Sequence, residues 1–97
     1  MAFTNQNICR SFNQTVSALV HLSAQDCTEV VIYNQGAVPV YVYDNGYAGD
    51  DNSFIVAPSA MQTFRGVTNS SSLSAETASG SALIFYRTQY YFAHVIR

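Results

Sequence analysis

His21 and His94 are the chain's two imidazoles, and acid–base or nucleophilic chemistry would run through them first. Each stands in an apolar, strand-like run, where a histidine is ordinarily a satisfied core or interface residue. Ser is plentiful, but the G-x-S-x-G elbow that exposes a nucleophile is absent. Paired carboxylates for glycoside cleavage would come from Asp26, Glu29, Asp44, Asp50, Asp51 and Glu76. Most of these lie in or beside turn-rich segments. The one local cluster joins Asp44-Asn45-Gly46 to Asp50-Asp51-Asn52. Oxygen ligands gathered in one loop suit Ca²⁺, which makes Asp44, Asp50 and Asp51 the metal candidates. Their spacing departs from the EF-hand loop, and the closing Glu is missing. Asp and Asn in a Gly-containing turn are expected from turn chemistry alone. The residues therefore predict no catalytic site, no metal, no cofactor and no small-molecule ligand.

Cys9 and Cys27 are the only thiols, too few for a disulfide scaffold and without metal-ligand spacing. They read as two reduced, buried cysteines, with a Cys9–Cys27 disulfide as the alternative. Net charge is −2 and only 10% of residues are charged, against about 25% in an ordinary soluble domain. There is no Lys, and the four cations are Arg10, Arg65, Arg87 and Arg97. Four dispersed Arg make no basic stripe for phosphates, so nucleic acid is excluded as a partner. No apolar run reaches the length of a membrane span. The first 20 residues lack the charged-then-apolar layout of a secretory signal, so use without export by that route is expected. The sequons at Asn13 and Asn69 then carry little weight. Ser, Thr, Asn and Gln fill 31 of the 97 positions, which keeps the surface polar without charge.

The elements that would position these residues are strands. Residues 1–15 are polar and without regular period, and are expected to form an extended N-terminal arm. Residues 16–97 read as a single domain. A short strand is expected within 16–23. Thr28–Asn34 is β-branched and aromatic. Val38–Asp44 alternates, with Val38, Val40 and Val42 toward a core and Tyr41 and Tyr43 on the other face. These two segments are expected to pair as a hairpin across Gln35-Gly36. Shorter strands follow at 53–57, 61–66 and 73–76, each closed by Pro, Gly or Ser-rich turns. Residues 81–96 run without Gly or Pro and are rich in strand formers. Both faces of this segment are largely apolar, so protein is expected to cover both. Its length implies a bend into two strands near 87–89, or a far end that leaves the domain for a neighbour. The pattern predicts an all-β fold, an antiparallel β-sandwich of jelly-roll or immunoglobulin type with 7 or 8 strands.

Thirteen Tyr and Phe are too many for so small a core. Tyr, with an apolar body and a polar tip, is enriched at protein interfaces. A contact surface is expected at Tyr41, Tyr43, Tyr86, Tyr90, Tyr91 and Phe92, with Phe3, Ile8 and Phe12 of the arm; packing between the sheets is the alternative use. Arg87 and Arg65 are candidates to meet carboxylates of another subunit, or else face solvent.

The segments EVVIYNQGAVPVYVYDNG at 29–46, FIVAPSAMQTFRGVTNSSSLSAETASGSA at 54–82 and IFYRTQYY at 84–91 resemble small structural proteins of tailed bacteriophages, cyanophages included. That group shows a similar hairpin, a following Ala-Pro-Ser strand and turn, a Ser-rich stretch and a final aromatic strand. The resemblance covers about two thirds of the chain and leaves out the arm. It implies a virion protein assembled in the host cytoplasm, of the capsid decoration (cement) type. Such a protein self-associates, with a trimer as one arrangement, and binds the major capsid protein or other virion proteins. A tail or fibre-associated adhesion module, binding carbohydrate, is the alternative.

Overall fold

The structure, a computed structural model, describes residues 5–44 and 53–93, with side chains for 9–44 and 54–90. Among the described residues eight strands occur in chain order: β1 (Asn5–Val16), β2 (Val20–His21), β3 (Glu29–Asn34), β4 (Val40–Asp44), β5 (Ser53–Val56), β6 (Met61–Arg65), β7 (Leu73–Glu76) and β8 (Ala82–Ala93). A 3₁₀ turn, Ser70–Ser72, is capped by the Asn69 side chain. Sheet one has the order β1-β8-β3-β6 and sheet two the order β2-β7-β4-β5, all pairs antiparallel. The pairs are nested, β1 with β8, β2 with β7, β3 with β6 and β4 with β5. This nesting, split across two packed sheets, is the eight-strand jelly roll rather than the immunoglobulin arrangement.

The core is what the strand alternation dictates. Val30 and Ile32 of β3, Val40 and Val42 of β4, Leu73 and Ala75 of β7, and Ala82, Ile84 and Tyr86 of β8 are buried between the sheets. Val38 packs against this cluster from its edge. Each aliphatic side chain removed from water contributes about 1.5–3 kcal/mol. Phe54 of β5 meets Phe64 of β6 edge-on, with ring centroids 5.5 Å apart, and closes the gap between two edge strands.

Three expectations change. Residues 5–16 form a strand that pairs with β8 along its whole length, from Asn5 opposite Ala93 to Val16 opposite Ala82. The arm hid a strand because its outward positions are Ser, Asn and Thr, so no apolar alternation announces it. The segments 28–34 and 38–44 do not pair with each other: β3 lies in sheet one and β4 in sheet two. Their connection is a crossover held by Asn34. This side chain, fully buried, donates from Nδ2 to Val38 O at 2.8 Å and Val56 O at 2.9 Å, and accepts from Gly36 N at 2.8 Å. Gly36 turns here against β8, where an added Cβ would stand 2.5 Å from Ala82 Cβ and 2.7 Å from its Cα. Finally, β8 is one strand of 12 residues, without a bend at 87–89. Ala82, Ile84, Tyr86 and Thr88 point inward, while Leu83, Phe85 and Arg87 are exposed.

The two thiols are free and sit in different surroundings. Cys9 is exposed, against expectation, because it occupies an outward position of β1; Cys27 is buried. The Cys27 thiol donates to Val67 O at 3.1 Å. Burial, and then the neighbouring Asp26 carboxylate, push its pKa up.

Asn34→Leu should destabilise the fold by about 3 kcal/mol or more, because it strands two carbonyls and one N–H. Gly36→Ala should cost about 1–3 kcal/mol through overpacking. Thermal unfolding would read these as losses of roughly 4–8 °C per kcal/mol. A thiol reagent should label only Cys9 in the native protein and both cysteines after unfolding. Because the folded Cys27 pKa is raised, its contribution is complete below the unfolded thiol's value of about 8.5 and is lost as pH rises above it. That part of the alkaline loss of stability should vanish in Cys27→Ala.

Candidate interaction surface

The outward positions of sheet one stand in rows set by strand register. The first row crosses Asn13, Phe85, Tyr33 and Met61; the second crosses Ser11, Arg87, Val31 and Thr63; the third crosses Cys9, Gln89, Glu29 and Arg65. Past Asn13 the first row is aromatic and thioether, Met61 being 65% and Phe85 43% exposed with Tyr33 half-buried between them. Leu83, 37% exposed, extends it along β8. In the third row Arg65 Nε lies 3.8 Å from Glu29 Oε1, with the arginine side chain almost wholly in water. An ion pair so exposed contributes little to stability. The face thus grades from aromatic and thioether surface to charge over two rows, four residues along each strand. A shallow groove of about 480 Å³ runs over it.

The aromatic residues expected at an interface divide among several environments. Tyr86 belongs to the core, 2% exposed. Its ring stacks on Phe12 with centroids 5.1 Å apart and 19° between planes. Its hydroxyl accepts from Ser23 N at 2.8 Å and lies 3.5 Å from Gln14 Oε1. Tyr86 is therefore a packing residue, because its place in the alternation of β8 is an inward one. Tyr43 is also buried, and its hydroxyl donates to Glu76 Oε2 at 2.8 Å on the outer side of sheet two. Tyr41 is half-buried two positions before it, on the opposite side of the sandwich from Arg87. Phe12 and Tyr90 are half-buried in the inward phase of β1 and β8. Among the expected contact residues with described side chains, Arg87 and Arg65 lie within the graded face, Arg65 beside Glu29 of the same chain.

Ile8, Tyr91 and Phe92 fall in the paired ends of β1 and β8, their side chains outside the described residues. Phe3, Asp50, Asp51 and His94 lie outside them altogether. Asp44 is exposed at the end of β4, and no group of three His, Cys, Asp or Glu able to hold a metal occurs among the described residues. His21 is exposed rather than buried, its Nδ1 3.1 Å from Ser71 O, because β2 is a two-residue edge strand. No helix among the described residues is long and apolar enough to cross a membrane.

The residues that do make the face, Val31, Tyr33, Met61, Thr63 and Phe85, escaped the sequence reading. Tyr33 and Phe85 carried the signal, each one step out of phase with a buried neighbour. Deciding between phases needs the register of Ile32 opposite Tyr86, which no single strand contains.

Tyr86→Ala should cost about 3–5 kcal/mol, as for other buried aromatic truncations. Phe85→Ala, its immediate neighbour, should cost under about 1 kcal/mol, the scale of one cross-strand pair. Chemical denaturation of the two variants measures the contrast. No family model matches the chain and no curated protein matches it in sequence.

Proposed function

We propose that the chain is a structural virion protein of a bacteriophage, a capsid decoration protein. It self-associates and binds the outer surface of the capsid, stabilising the shell. The observation behind this reading is the outer face of sheet one, where exposed Phe85 and Met61 flank half-buried Tyr33, one row from Arg87 and two rows from the Glu29–Arg65 pair. An apolar centre fits burial against another protein, and a polar border fixes orientation. Low overall charge suits such docking, since few ions need desolvation. The resemblance of 29–91 to small tailed-phage structural proteins points the same way. The jelly roll also occurs in viral capsid and lectin domains, an analogy of fold alone.

Lectin use is the second reading, and one observation favours it. The groove places the rings of Tyr33 and Phe85 near Gln89, Glu29 and Arg65, a mixture of apolar faces and hydrogen-bonding groups. In that case the chain would belong to a tail or fibre and adhere to host carbohydrate.

Purified protein mixed with capsid shells lacking it should sediment with them. Phe85→Asp and Met61→Glu should each weaken binding about thirtyfold or more, the scale of a central contact, while leaving thermal unfolding nearly unchanged. Full binding by both variants would overturn the docking face. Hits on a glycan array, lost in Phe85→Asp, would favour the lectin reading.

A further inference from the structure

Sheet one ends in an edge unlike the other three. β1 runs 12 residues, whereas β2 has 2, β5 has 4 and β6 has 5. Its pairing with β8 proceeds one residue to one, without a bulge. The strand carries no Pro and no Lys, and its only charge is Arg10. Proteins blunt exposed edges with short strands, charge, Pro or bulges. β1 has none of these apart from Arg10.

The register also shows which of its backbone groups are open. Gln35 N donates to Leu83 O at 2.9 Å, and Thr28 N donates to Gln89 O at 2.7 Å. Odd-numbered residues of β8 therefore bond toward β3 and even-numbered ones toward β1, as antiparallel ladders alternate. On β1 the partners of those even residues are Gln6, Ile8, Arg10, Phe12, Gln14 and Val16. The intervening residues Asn5, Asn7, Cys9, Ser11, Asn13 and Thr15 then turn N–H and C=O away from β8. Sheet one has no strand beyond β1 among the described residues.

We infer that two copies of the chain join along β1, antiparallel about a two-fold axis, into one continuous eight-stranded sheet. The inference rests on the self-association in the proposed function and gives it an edge, a symmetry and a register. A second copy fits this edge because the strand is self-complementary. With Ser11 on the axis, Ser11 meets Ser11, Cys9 meets Asn13 and Asn7 meets Thr15, small polar groups on every row. The five open residues from Asn7 to Thr15 pair within the strand, giving about ten backbone hydrogen bonds. Arg10 then stands opposite Phe12 of the second copy, a favourable cation–ring pairing. Moving the axis to Arg10 would set the two guanidinium groups face to face, which is unfavourable. A two-fold closes the assembly at two copies, so the edge is consumed rather than extended into a fibre.

Sedimentation of the full chain should show a dimer of 10.6 kDa subunits. Ser11→Pro removes an N–H that β8 does not use, so it should keep cooperative unfolding and raise the dimer dissociation constant about a hundredfold or more. In a Cys9→Ser background, Ser11→Cys should form a disulfide between copies under mild oxidation, because facing residues lie within bridging range. Native Cys9, opposite Asn13, should not. A monomeric wild type, a dimer indifferent to Ser11→Pro, or cross-linking through Cys9 in place of position 11 would each overturn the proposal. Co-sedimentation of monomeric Ser11→Pro with capsid shells is scored separately. Binding there leaves the docking face standing whatever the edge does, and loss of shell binding by a wild-type dimer counts against decoration alone.

Discussion

Three hydrogen bonds from one buried amide hold the two sheets in relation. Asn34 ends β3 in sheet one, and its Nδ2 reaches the carbonyls of Val38, in the crossover two residues before β4, and Val56, at the end of β5 in sheet two. Its Oδ1 takes the Gly36 N–H and shapes the crossover. Its backbone is used as fully, with N donating to Ala60 O at 3.0 Å and O accepting from Ser59 N at 2.8 Å. A buried polar group left unpaired costs about as much as several favourable contacts supply, so this network is satisfied as a unit or not at all. The same crossover separates the faces, since it sends β3 and β4 to different sheets.

From that separation comes the difference between the two sides of the molecule. On sheet two the outward Tyr43 is covered and its hydroxyl bonded to Glu76. On sheet one the outward Phe85 and Met61 are left to solvent. A chain this small cannot bury every aromatic it carries: Phe54 stays open on β5 at the edge of sheet two, and Phe85 on the outer face of sheet one. The low charge of the sequence acquires a place: of the four arginines, Arg65 and Arg87 border that face.

The sequence was most legible where alternation was strict. The spacing of Val38, Val40 and Val42 points all three to the core; Val40 and Val42 are fully buried and Val38 half-buried. The all-β sandwich followed from turn signals between short strands. Pairing was not legible, because the partner of a strand lies in another part of the chain: β3 looked like half of a hairpin, yet its neighbours are β6 and β8. Phase failed in β8 for a related reason. Phe85 and Tyr86 are both aromatic, and only the register with β3 says which one faces in. β1 was read as an arm because hydrogen bonding to β8, not apolar burial, fixes most of it. Its inward Phe12 and Val16 are too few to mark a period.

The nested pairing brings Asn5 opposite Ala93. The first and last strands thus leave the sandwich side by side at the same pole. Topologically the chain is a ring missing one link. A short linker between these positions would close it without threading a loop or breaking a pair, and the ring could then be opened at an exposed turn such as 78–81. The order in which the residues are joined is therefore less essential to this architecture than the set of pairs they make.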